Sequence, residues 1–517
     1  MSILLQPVFL YNTSVKNYEI DATWHYHNGT KHPNGMLLNR FHVFHPSHRP
    51  TPYKIYKNTP NVILPLDKNP IGISALDAIS TICSSTDSTV PDLETLSRVL
   101  YFSSGITKKI KFPEPLGDVD FRAASCTGAL YHIEIYIVCS DIPGLGAGVY
   151  HFDPKQMKLD IIRLGDFRRS VIAATANEPF VKQSQIMLIF TDVFSRNSIK
   201  YQSREYRHAF WDCGTILANT LAITSIHNIP SRIITGFVDC QISHLLGLDI
   251  KDEVPIVILP LYTTNHETPA CPPLQDVNSE AVASDYEIEY PEINTMHEAS
   301  CLSTETEVSS WRHHITREHT DSTKLIPLVS SLKSEEPLEK TIIKRGSTRK
   351  FSLESITFDE LSTILYKATS GIDSDFVNQD FISDIYMIVN AVDGLESGSY
   401  HYVKEKNSLE QLRKGNFRNA SGNLGLDQDL PYDASVTIFL MANLDKILKQ
   451  FGNRGYRVAQ LDAAITGGRM YLASYALGLG ATGLTFYDDI VTNFFSPHAE
   501  NKETMFLIAI GKKEKPT

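Results

Sequence analysis

The stretch REYRHAFWDCG at residues 204–214 returns as RGYRVAQLDAA at residues 454–464, an offset of 250 positions. The segment GAGVYHF at 146–152 matches ESGSYHY at 396–402 with the same offset. Repeated matches at one spacing indicate an internal duplication. The sequence therefore predicts an α+β protein that consists of two tandem copies of one domain.

The overall charge of the chain limits its partners. With 48 basic and 59 acidic residues among 517, the formal net charge is −11. An acidic chain is poorly suited to the phosphate backbone, so we expect no nucleic-acid partner.

No apolar run reaches the about 18 residues that a membrane span needs, and no secretory signal is expected. Seven cysteines without a CxxC pair are typical of reduced thiols. These features predict a cytoplasmic protein without membrane segments.

The composition changes between residues 263 and 340, where 15 acidic residues stand against 5 basic ones. Such a charge imbalance disfavours a packed core. We expect an N-terminal domain with an extension at 1–262, an acidic linker at 263–340 and a C-terminal domain at 341–517. Most of the linker is expected to be a solvated connector, whereas residues 286–301 are apolar enough to dock on a neighbouring domain.

Each copy has the same predicted order of elements. The expected pairs are an apolar helix (93–103, 358–368), a strand (133–139, 385–390), a further strand (186–190, 436–441) and a long helix (207–227, 458–479). Small residues such as Ala459, Ala463 and Gly467 allow another helix to approach closely. We expect the two long helices to pack together across a pseudo-twofold interface.

Arg345, Ser347 and Arg349 lie in KRGSTRKF, the densest group of cations and hydroxyls in this acidic chain. Guanidinium groups bind phosphate through paired hydrogen bonds, and a hydroxyl adds a further donor. This pattern is typical of a phosphate site. A solvated basic helix start that offsets the charge of the linker is the alternative.

Lys200 and Tyr201 precede the long helix of the first copy, where the second copy has Gln450 and Phe451. Two neighbouring titratable groups can move protons if burial lowers the pKa of the lysine. The pair is therefore a candidate acid and base. An ordinary surface pair is the alternative.

Gly478, Gly480 and Gly483 form a GxGxxG pattern. In a dinucleotide-binding loop this pattern leaves a strand and enters a helix. Here it follows the long helix and precedes the strand-like LTFY at residues 484–487. We therefore expect a helix end and a turn instead of a nicotinamide site.

Histidines cluster near the N-terminus, with His42, His45 and His48 spaced by three. Proline residues interrupt any helix that would align them, and no carboxylate or cysteine completes a ligand set. We interpret them as solvated or docking side chains, and no metal site is predicted.

These motifs resemble the flavin-dependent nitroreductase fold, specifically the SagB/ThcOx-type dehydrogenases in their tandem form. RGSTRKF at 345–351 is similar to the Arg-Arg-Ser-x-Arg-x-Phe motif of that family, with Gly346 in place of the second arginine. The resemblance implies FMN as the cofactor, with its phosphate and ring edge held by Arg345, Ser347 and Arg349.

Two further segments of the first copy resemble that family. RAASCTGALYHIEIY at 122–136 is similar to the segment that lies against the isoalloxazine ring, which implies that Ser125 and Gly128 line the flavin. KYQSREYR contains the pair that is the proposed acid and base of azoline dehydrogenases, and Lys200 and Tyr201 occupy its positions.

The end of the second copy also resembles the family. GLGATGLTFYDD is similar to the loop that contacts the flavin pyrimidine, which implies contacts from Leu484 and Thr485. The terminal AIGKK resembles the element that places a basic residue near the phosphate, which implies the same role for Lys512.

In the family, the site is assembled across a dimer interface. Here the second copy has the arginine motif, the glycine loop and the terminal lysine, whereas the first copy has the Ser-Gly segment and the Lys-Tyr pair. The resemblance therefore implies two nitroreductase-like domains packed as an intramolecular pseudo-dimer, with one complete site and one that has lost its residues. Association of whole chains into a homodimer stays open.

The resemblance implies an FMN-dependent oxidoreductase that converts peptide thiazolines or oxazolines to azoles, with O2 reoxidising the flavin. The substrate is then a peptide or small molecule, and a cyclodehydratase is an expected partner. Two alternatives stay open. One is an NAD(P)H-dependent nitro or quinone reductase, which the Lys-Tyr pair disfavours; the other is a non-catalytic flavoprotein subunit of a peptide-modification complex.

A single complete set of flavin ligands predicts one FMN per chain. Arg349→Ala should release most of this FMN, because loss of a charge-assisted hydrogen bond costs about 1.5–3 kcal/mol. Flavin absorbance of the purified protein and of its heat-released cofactor checks both expectations. Two flavins per chain, or unchanged flavin content in the variant, would contradict them.

Overall fold

The computed structural model describes residues 16–33, 49–83, 90–113, 117–263, 267–277, 281–282, 289–315, 324–329 and 332–514. His42, His45 and His48 lie outside these ranges. None of the helices in the described ranges is both long and apolar enough to cross a membrane.

The N-terminal half combines helices with an antiparallel sheet. Its helices are α1 (Asp21–Gly29), α2 (Ala75–Ala78), α3 (Leu93–Ser104), α4 (Arg168–Ala174), α5 (Pro179–Gln183), α6 (Phe194–Tyr201), α7 (Glu205–Ile226) and α8 (Asp239–Leu246). Its strands are β1 (Ile55–Tyr56), β2 (Asn61–Ile63), β3 (Ile106–Lys111), β4 (Asp118–Arg122), β5 (Ile133–Cys139), β6 (Gly148–Asp153), β7 (Lys158–Leu164), β8 (Ser184–Val193) and β9 (Glu253–Thr263).

The rest of the chain also combines helices with a sheet. Its helices are α9 (Pro291–Ala299), α10 (Glu305–Trp311), α11 (Leu338–Lys344), α12 (Phe358–Ala368), α13 (Arg418–Leu424), α14 (Asp429–Asp433), α15 (Leu444–Phe451), α16 (Arg454–Ala476) and α17 (Asp488–Phe495). Its strands are β10 (Ala281–Val282), β11 (Leu325–Pro327), β12 (Ile356–Thr357), β13 (Ile372–Asp373), β14 (Asn378–Asp380), β15 (Asp384–Val389), β16 (Val392–Asp393), β17 (Gly398–Val403), β18 (Ser408–Lys414), β19 (Val436–Ala442), β20 (Gly480–Leu484) and β21 (Glu503–Gly511).

The two main sheets repeat one topology. The N-terminal sheet has the order β2-β7-β6-β5-β8-β9, and the C-terminal sheet has the order β11-β18-β17-β15-β19-β21-β20. All six strands of the N-terminal sheet thus have a counterpart at the same position in the C-terminal sheet. The C-terminal sheet has one additional strand, β20, at its edge next to β21. The strand order supports the duplication that the sequence predicts.

Local sequence explains where the main elements begin. Thr357 caps α12 and forms a capping box with Glu360, and the Asp92 side chain accepts from Thr95 N at 2.8 Å at the start of α3. Every residue of the strand IEIYIVC at Ile133–Cys139 is buried, including Glu134, as a run that is apolar except at one position predicts for a strand covered on both faces.

The long helices α7 and α16 pack against each other, as predicted. A Cβ on Gly214 would lie 2.5 Å from the Cβ of Ala464, and a Cβ on Gly468 would lie 2.6 Å from that of Ala218. These distances are shorter than any normal carbon contact. Glycine at both positions is therefore what allows the two helix backbones to approach so closely.

Buried ion pairs cross between the halves in both directions. Arg207 of α7 binds Asp488, the first residue of α17, at 2.6 Å. Arg457 of α16 binds Asp239, the first residue of α8, at 2.9 Å. The carboxylates also lie at helix N-termini, where the helix dipole favours negative charge. Each half therefore supplies an arginine to the other half and receives one from it.

The acidic segment 263–340 is docked over a longer stretch than 286–301. Ile293 and Met296 of α9 are buried. Trp311 of α10 is fully buried, and its Nε1 donates to Phe451 O at 2.8 Å. Helix α9 lies within the stretch 286–301 that was expected to dock, whereas α10 lies in the part that was expected to be a solvated connector. The apolar side chains of α10 pack on the neighbouring domain instead.

Helix α9 is a counterpart of α1. Arg207 Nη2 donates to His27 O of α1 at 2.6 Å, and Arg457 Nη2 donates to His297 O of α9 at 3.2 Å. Strands β2 and β11 likewise occupy the same edge of their sheets. We infer that the second copy begins within the segment 263–340, ahead of residue 341.

The glycine-rich stretch follows a helix, as predicted, but its strand begins earlier. Helix α16 ends at Ala476, and Gly478 has a left-handed φ of 78°. Gly480 and Gly483 already belong to β20, which pairs with β21. The expected strand at 484–487 is therefore wrong beyond Leu484, because the pairing with β21 ends there.

Asp488→Asn should lower the free energy of unfolding by about 3–5 kcal/mol, because it leaves buried guanidinium groups without their counter-ion. The adjacent Asp489 is the matched control: its side chain is 70% exposed and pairs with Lys31. Asp489→Asn should cost at most about 1 kcal/mol. Denaturant-induced unfolding of both variants checks the difference, and equal stabilities would contradict it.

Candidate functional site

Arg345 links the two halves at the candidate site. It follows α11 directly, and its Nε donates to Ala123 O at 3.0 Å while Nη2 donates to Arg122 O at 3.2 Å. Burial lowers the pKa of Arg345 from its ordinary value. The arginine motif of the C-terminal half and the segment 122–136 of the N-terminal half therefore meet.

Asp212 of α7 anchors the loop that contains Ser125 and Gly128. Its carboxylate accepts from the backbone N and the hydroxyl of Thr127, at 2.9 and 2.8 Å, and lies 2.8 Å from His132 Nε2. Burial lowers the pKa of His132, but the surrounding carboxylates raise it well above its ordinary value. A protonated imidazole therefore donates to Asp212 and keeps this carboxylate in place.

Gly128 lies against the Lys-Tyr pair. Its φ of 59° is in the left-handed region that favours glycine. A Cβ at this position would lie 3.1 Å from the Tyr201 hydroxyl and 3.3 Å from Lys200 Nζ. A larger residue would strain the loop and displace both groups, so the loop geometry and the pair depend on each other.

The charges around Lys200 are positive. Partial burial lowers the pKa of Lys200, and the neighbouring charges of Arg349 and Arg49 lower it further. Arg49 is held in place because its Nη2 donates to Ala129 O at 2.5 Å. Burial raises the pKa of Tyr201. Lys200 is thus the group that more readily loses a proton, whereas Tyr201 keeps its proton.

Ser347 and the β20 strand converge on Tyr471 of α16. The Tyr471 hydroxyl lies 3.3 Å from Ser347 Oγ and accepts a hydrogen bond from Gly483 N. Leu484 follows at the end of β20 and is half-buried. Thr485 Oγ1 is buried without a hydrogen-bond partner. An unpartnered hydroxyl beside these residues is a free group for a ligand.

The two C-terminal lysines face different surroundings. Lys512 Nζ lies 3.7 Å from Glu354 and its side chain is 43% exposed. Lys513 Nζ lies 4.7 Å from the centre of the Tyr475 ring, and burial followed by the charge of Lys344 lowers its pKa. The structure therefore brings Lys513, instead of the predicted Lys512, toward the arginine motif.

Apart from the candidate site, a small cavity lies between the halves. It is lined by Thr81, Ile82 and Cys83 on one side and by Asp373 and Arg469 on the other. Residues 81–83 follow α2 as the arginine motif follows α11, but they include no cation. Within the described part of the chain, none of the predicted site residues lines this cavity.

Sequence analysis missed Arg49, Asp212 and Lys513 as site residues. Arg49 belongs to no recognisable motif, and Asp212 attracted attention only as a position of the repeat. Lys512 and Lys513 are neighbours in an extended chain, so their side chains point in opposite directions. The pairing of Phe351 with Lys513 selects which of them faces the site.

Comparisons with known proteins show which proteins this chain is similar to. The sequence profile of the nitroreductase family matches residues 342–512. The nitroreductase candidate MJ1384 of Methanocaldococcus jannaschii is 26% identical over 186 residues, which are 35% of this chain and 92% of MJ1384. The family match covers the half that contains the arginine motif and β20.

Two relatives are named as peptide-processing proteins. The microcin B17-processing protein McbC of Escherichia coli is 22% identical over 175 residues, 32% of this chain. The trifolitoxin-processing protein TfxB of Rhizobium leguminosarum bv. trifolii is 32% identical over 157 residues, 28% of this chain. The matched parts are 60% of McbC and 41% of TfxB.

A crystal structure extends the similarity to both halves. A nitroreductase candidate from Anabaena variabilis superimposes with a TM-score of 0.76 and 26% identity, covering 95% of this chain and 99% of its own. The family comprises oxidoreductases, so the chain contains an oxidoreductase-type domain. Residues 342–512 therefore form a domain of the nitroreductase family, which confirms the resemblance predicted from the sequence.

Proposed function

We propose that this protein is an FMN-dependent oxidoreductase that oxidises thiazoline or oxazoline rings of a peptide to azoles, with O2 reoxidising the flavin. The observation that supports it best is the position of Lys200 and Tyr201 against Gly128, on the opposite side of the interface from the arginine motif. The names of McbC and TfxB favour a peptide as the substrate.

The residues of the site fit a flavin mononucleotide. Lys200, Arg349 and Arg49 form a group of neighbouring cations that suits an anionic ligand. Thr485 Oγ1 has no partner within the protein. Arg345, Ser347 and Lys513 would hold the phosphate, whereas Ser125, Gly128, Leu484 and Thr485 would line the ring. Lys512 is the weaker phosphate ligand, since it faces Glu354.

The proposed reaction removes two hydrogens from the azoline ring. Bound FMN supplies the acceptor for the hydride that leaves one ring carbon. Lys200 takes the proton that leaves the other ring atom, because its lowered pKa increases the fraction of free amine near neutral pH. Tyr201 keeps its proton and donates a hydrogen bond that orients the ring. Loss of a hydride and a proton converts the azoline to the aromatic azole.

We further propose that the two halves act as an intramolecular pseudo-dimer with one working site. The contacts of Arg345 with Arg122 and Ala123 support a site shared between halves, and the absence of a cation at 81–83 supports its asymmetry. The peptide azoline would be produced by a cyclodehydratase, which is the proposed partner of this protein.

Lys200→Ala should retain bound flavin and lower turnover of a synthetic thiazoline peptide by about 100-fold, the usual contribution of a positioned base. Tyr201→Phe should retain flavin and lose less activity, because it removes only an orienting hydrogen bond. Lys182, which is exposed and distant in sequence, provides the control variant Lys182→Ala. Azole formation measured by mass spectrometry, with the flavin spectrum recorded in parallel, separates chemistry from binding.

Anaerobic stopped-flow spectroscopy of the flavin distinguishes this proposal from its alternatives. Azoline peptide should bleach the bound flavin much faster than NADH or NADPH does. Rapid bleaching by NAD(P)H would instead indicate a reductase, and no bleaching by either donor would indicate a non-catalytic flavoprotein.

The pH dependence of kcat/KM should report Lys200. A base must lose its proton, so activity should rise with pH through a midpoint below 10.5, the ordinary pKa of lysine. Arg49→Gln removes a positive neighbour, so protonated Lys200 becomes more stable and the midpoint should move to higher pH. Arg169→Gln is the control, because Arg169 donates to Thr268 O away from the site. An unchanged midpoint in Arg49→Gln would contradict the assignment of Lys200 as the base.

The two terminal lysines give a direct test of the phosphate contact. Lys513→Ala should weaken FMN binding by about tenfold or more, as expected for loss of a hydrogen bond to a charged group. Lys512→Ala should leave binding nearly unchanged. Titration of the FMN-depleted variants with FMN, followed by quenching of flavin fluorescence, measures both affinities, and the opposite order would restore Lys512 as the ligand.

A further inference from the structure

His401, Glu410 and His498 bring their ligand atoms within 4.8 Å of one another on the C-terminal sheet, away from the proposed flavin site. His401 of β17 lies directly opposite Glu410 of β18 in the strand register. His498 follows α17, and its ring centre lies 4.6 Å from that of His401. The three residues are called the His-Glu-His cluster below.

Several buried ligand atoms of this cluster make no hydrogen bond within the described part of the chain, although His401 Nε2 lies 3.9 Å from Asp384 Oδ1. The His401 side chain is 2% exposed, and neither of its ring nitrogens makes a hydrogen bond. Glu410 Oε2 is also buried without a hydrogen bond. Burial of unpaired polar atoms is unfavourable. An ion at the centre of the cluster would give a partner to Glu410 Oε2 and to one of the two ring nitrogens of His401.

The environment of His498 shows which of its nitrogens is available. The Tyr386 hydroxyl donates to His498 O at 3.1 Å and lies 2.9 Å from His498 Nδ1. Because the hydroxyl has a single proton, it accepts from Nδ1–H, and Nε2 has a free lone pair.

His498 Nε2 lies 3.5 Å from Glu410 Oε2. In the neutral imidazole, the Nε2 lone pair and the carboxylate oxygen repel each other at this distance, and a metal ion between them would remove this repulsion. Ligands of a tetrahedral zinc ion lie about 3.4 Å apart, given bond lengths near 2.0–2.1 Å. A hydrogen bond donated by the second ring nitrogen, here from Nδ1 to the Tyr386 hydroxyl, is also typical of metal-bound histidine.

The N-terminal half has protein cations at the corresponding place. His151, the counterpart of His401, lies 3.6 Å from Asp160, the counterpart of Glu410. Lys158 binds Asp160 at 2.9 Å, and Ser408 occupies the position of Lys158 in the second half. In the described part of the C-terminal half, the cation beside the cluster is Lys502, which binds Asp384 at 2.7 Å. The cluster itself thus lacks the positive charge that its counterpart contains.

We propose that His401, Glu410 and His498 bind one zinc ion, with water as the fourth ligand. Water has access because the side chains of His498 and Glu410 are 26% and 22% exposed. The sequence suggested no metal here, since 97 residues separate His401 from His498. The ion would join β17 and β18 to the segment after α17, the helix whose first residue holds Arg207. Its role would be to stabilise the fold, independently of the proposed oxidase activity.

Isothermal titration of the EDTA-treated, dialysed full-length protein with ZnCl2 tests this proposal. The wild type should bind one zinc ion per chain, and His498→Ala should lower the affinity by about 100-fold or more. Glu410→Gln should have a smaller effect in the same direction. His244→Ala is the control, since His244 is exposed and lies outside the cluster.

Thermal unfolding provides a second readout that is independent of enzymatic activity. Zinc should raise the Tm of the wild type and of His244→Ala, because a ligand that binds only the folded state stabilises it. Zinc should not raise the Tm of folded His498→Ala. Absence of stoichiometric zinc binding by the wild type, or equal zinc affinity in His498→Ala, would overturn the proposal.

Discussion

Two sets of buried arginine–aspartate ion pairs hold the halves of this molecule together. Arg207 and Arg457 are almost completely buried, and each pairs with an aspartate at the start of a helix of the opposite half. Transfer of a guanidinium ion from water to a protein interior costs several kcal/mol unless its hydrogen bonds are replaced. Each arginine also donates to a carbonyl and a hydroxyl next to α1 or α9. Because each half satisfies the arginines of the other, the two halves depend on each other for stability.

The candidate site depends on this interface because its walls come from opposite halves. Arg345 approaches from the C-terminal half, whereas Gly128 and Lys200 belong to the N-terminal half. The close approach of α7 and α16 through Gly214 and Gly468 sets the separation of these walls. A change in helix packing would therefore move both sides of the proposed flavin pocket, even though neither glycine belongs to it.

The two halves share one strand order, whereas the loops between their strands differ. Asp462, the counterpart of Asp212, also anchors a loop, since it accepts from Ser383 N at 2.9 Å. The second half enters its strand immediately after Ser383, but the first half inserts residues 128–132 between the anchor and β5. The inserted loop includes Gly128. The proposed asymmetry between the two halves would thus arise from a short loop on a common scaffold, and the His-Glu-His cluster is a second difference between them.

The sequence by itself determined the features that depend on local pattern. Helix Phe358–Ala368 and strand Ile133–Cys139 have the predicted bounds, because their periodicity and capping residues are contained within a few turns of chain. The repeated segments and the arginine motif could also be identified from the sequence, since a repeat and a motif are properties of residue order. The family followed from these elements.

Tertiary structure alone decided which distant residues share a site. The contact of Lys513 with the Tyr475 ring and the charge of Arg49 near Lys200 follow from strand pairing and from packing between halves. The convergence of His401 and His498 follows from sheet register and the path of the chain after α17. Each of these contacts joins residues far apart in the chain. Their formation depends on the burial of many other groups, and local sequence does not encode that burial.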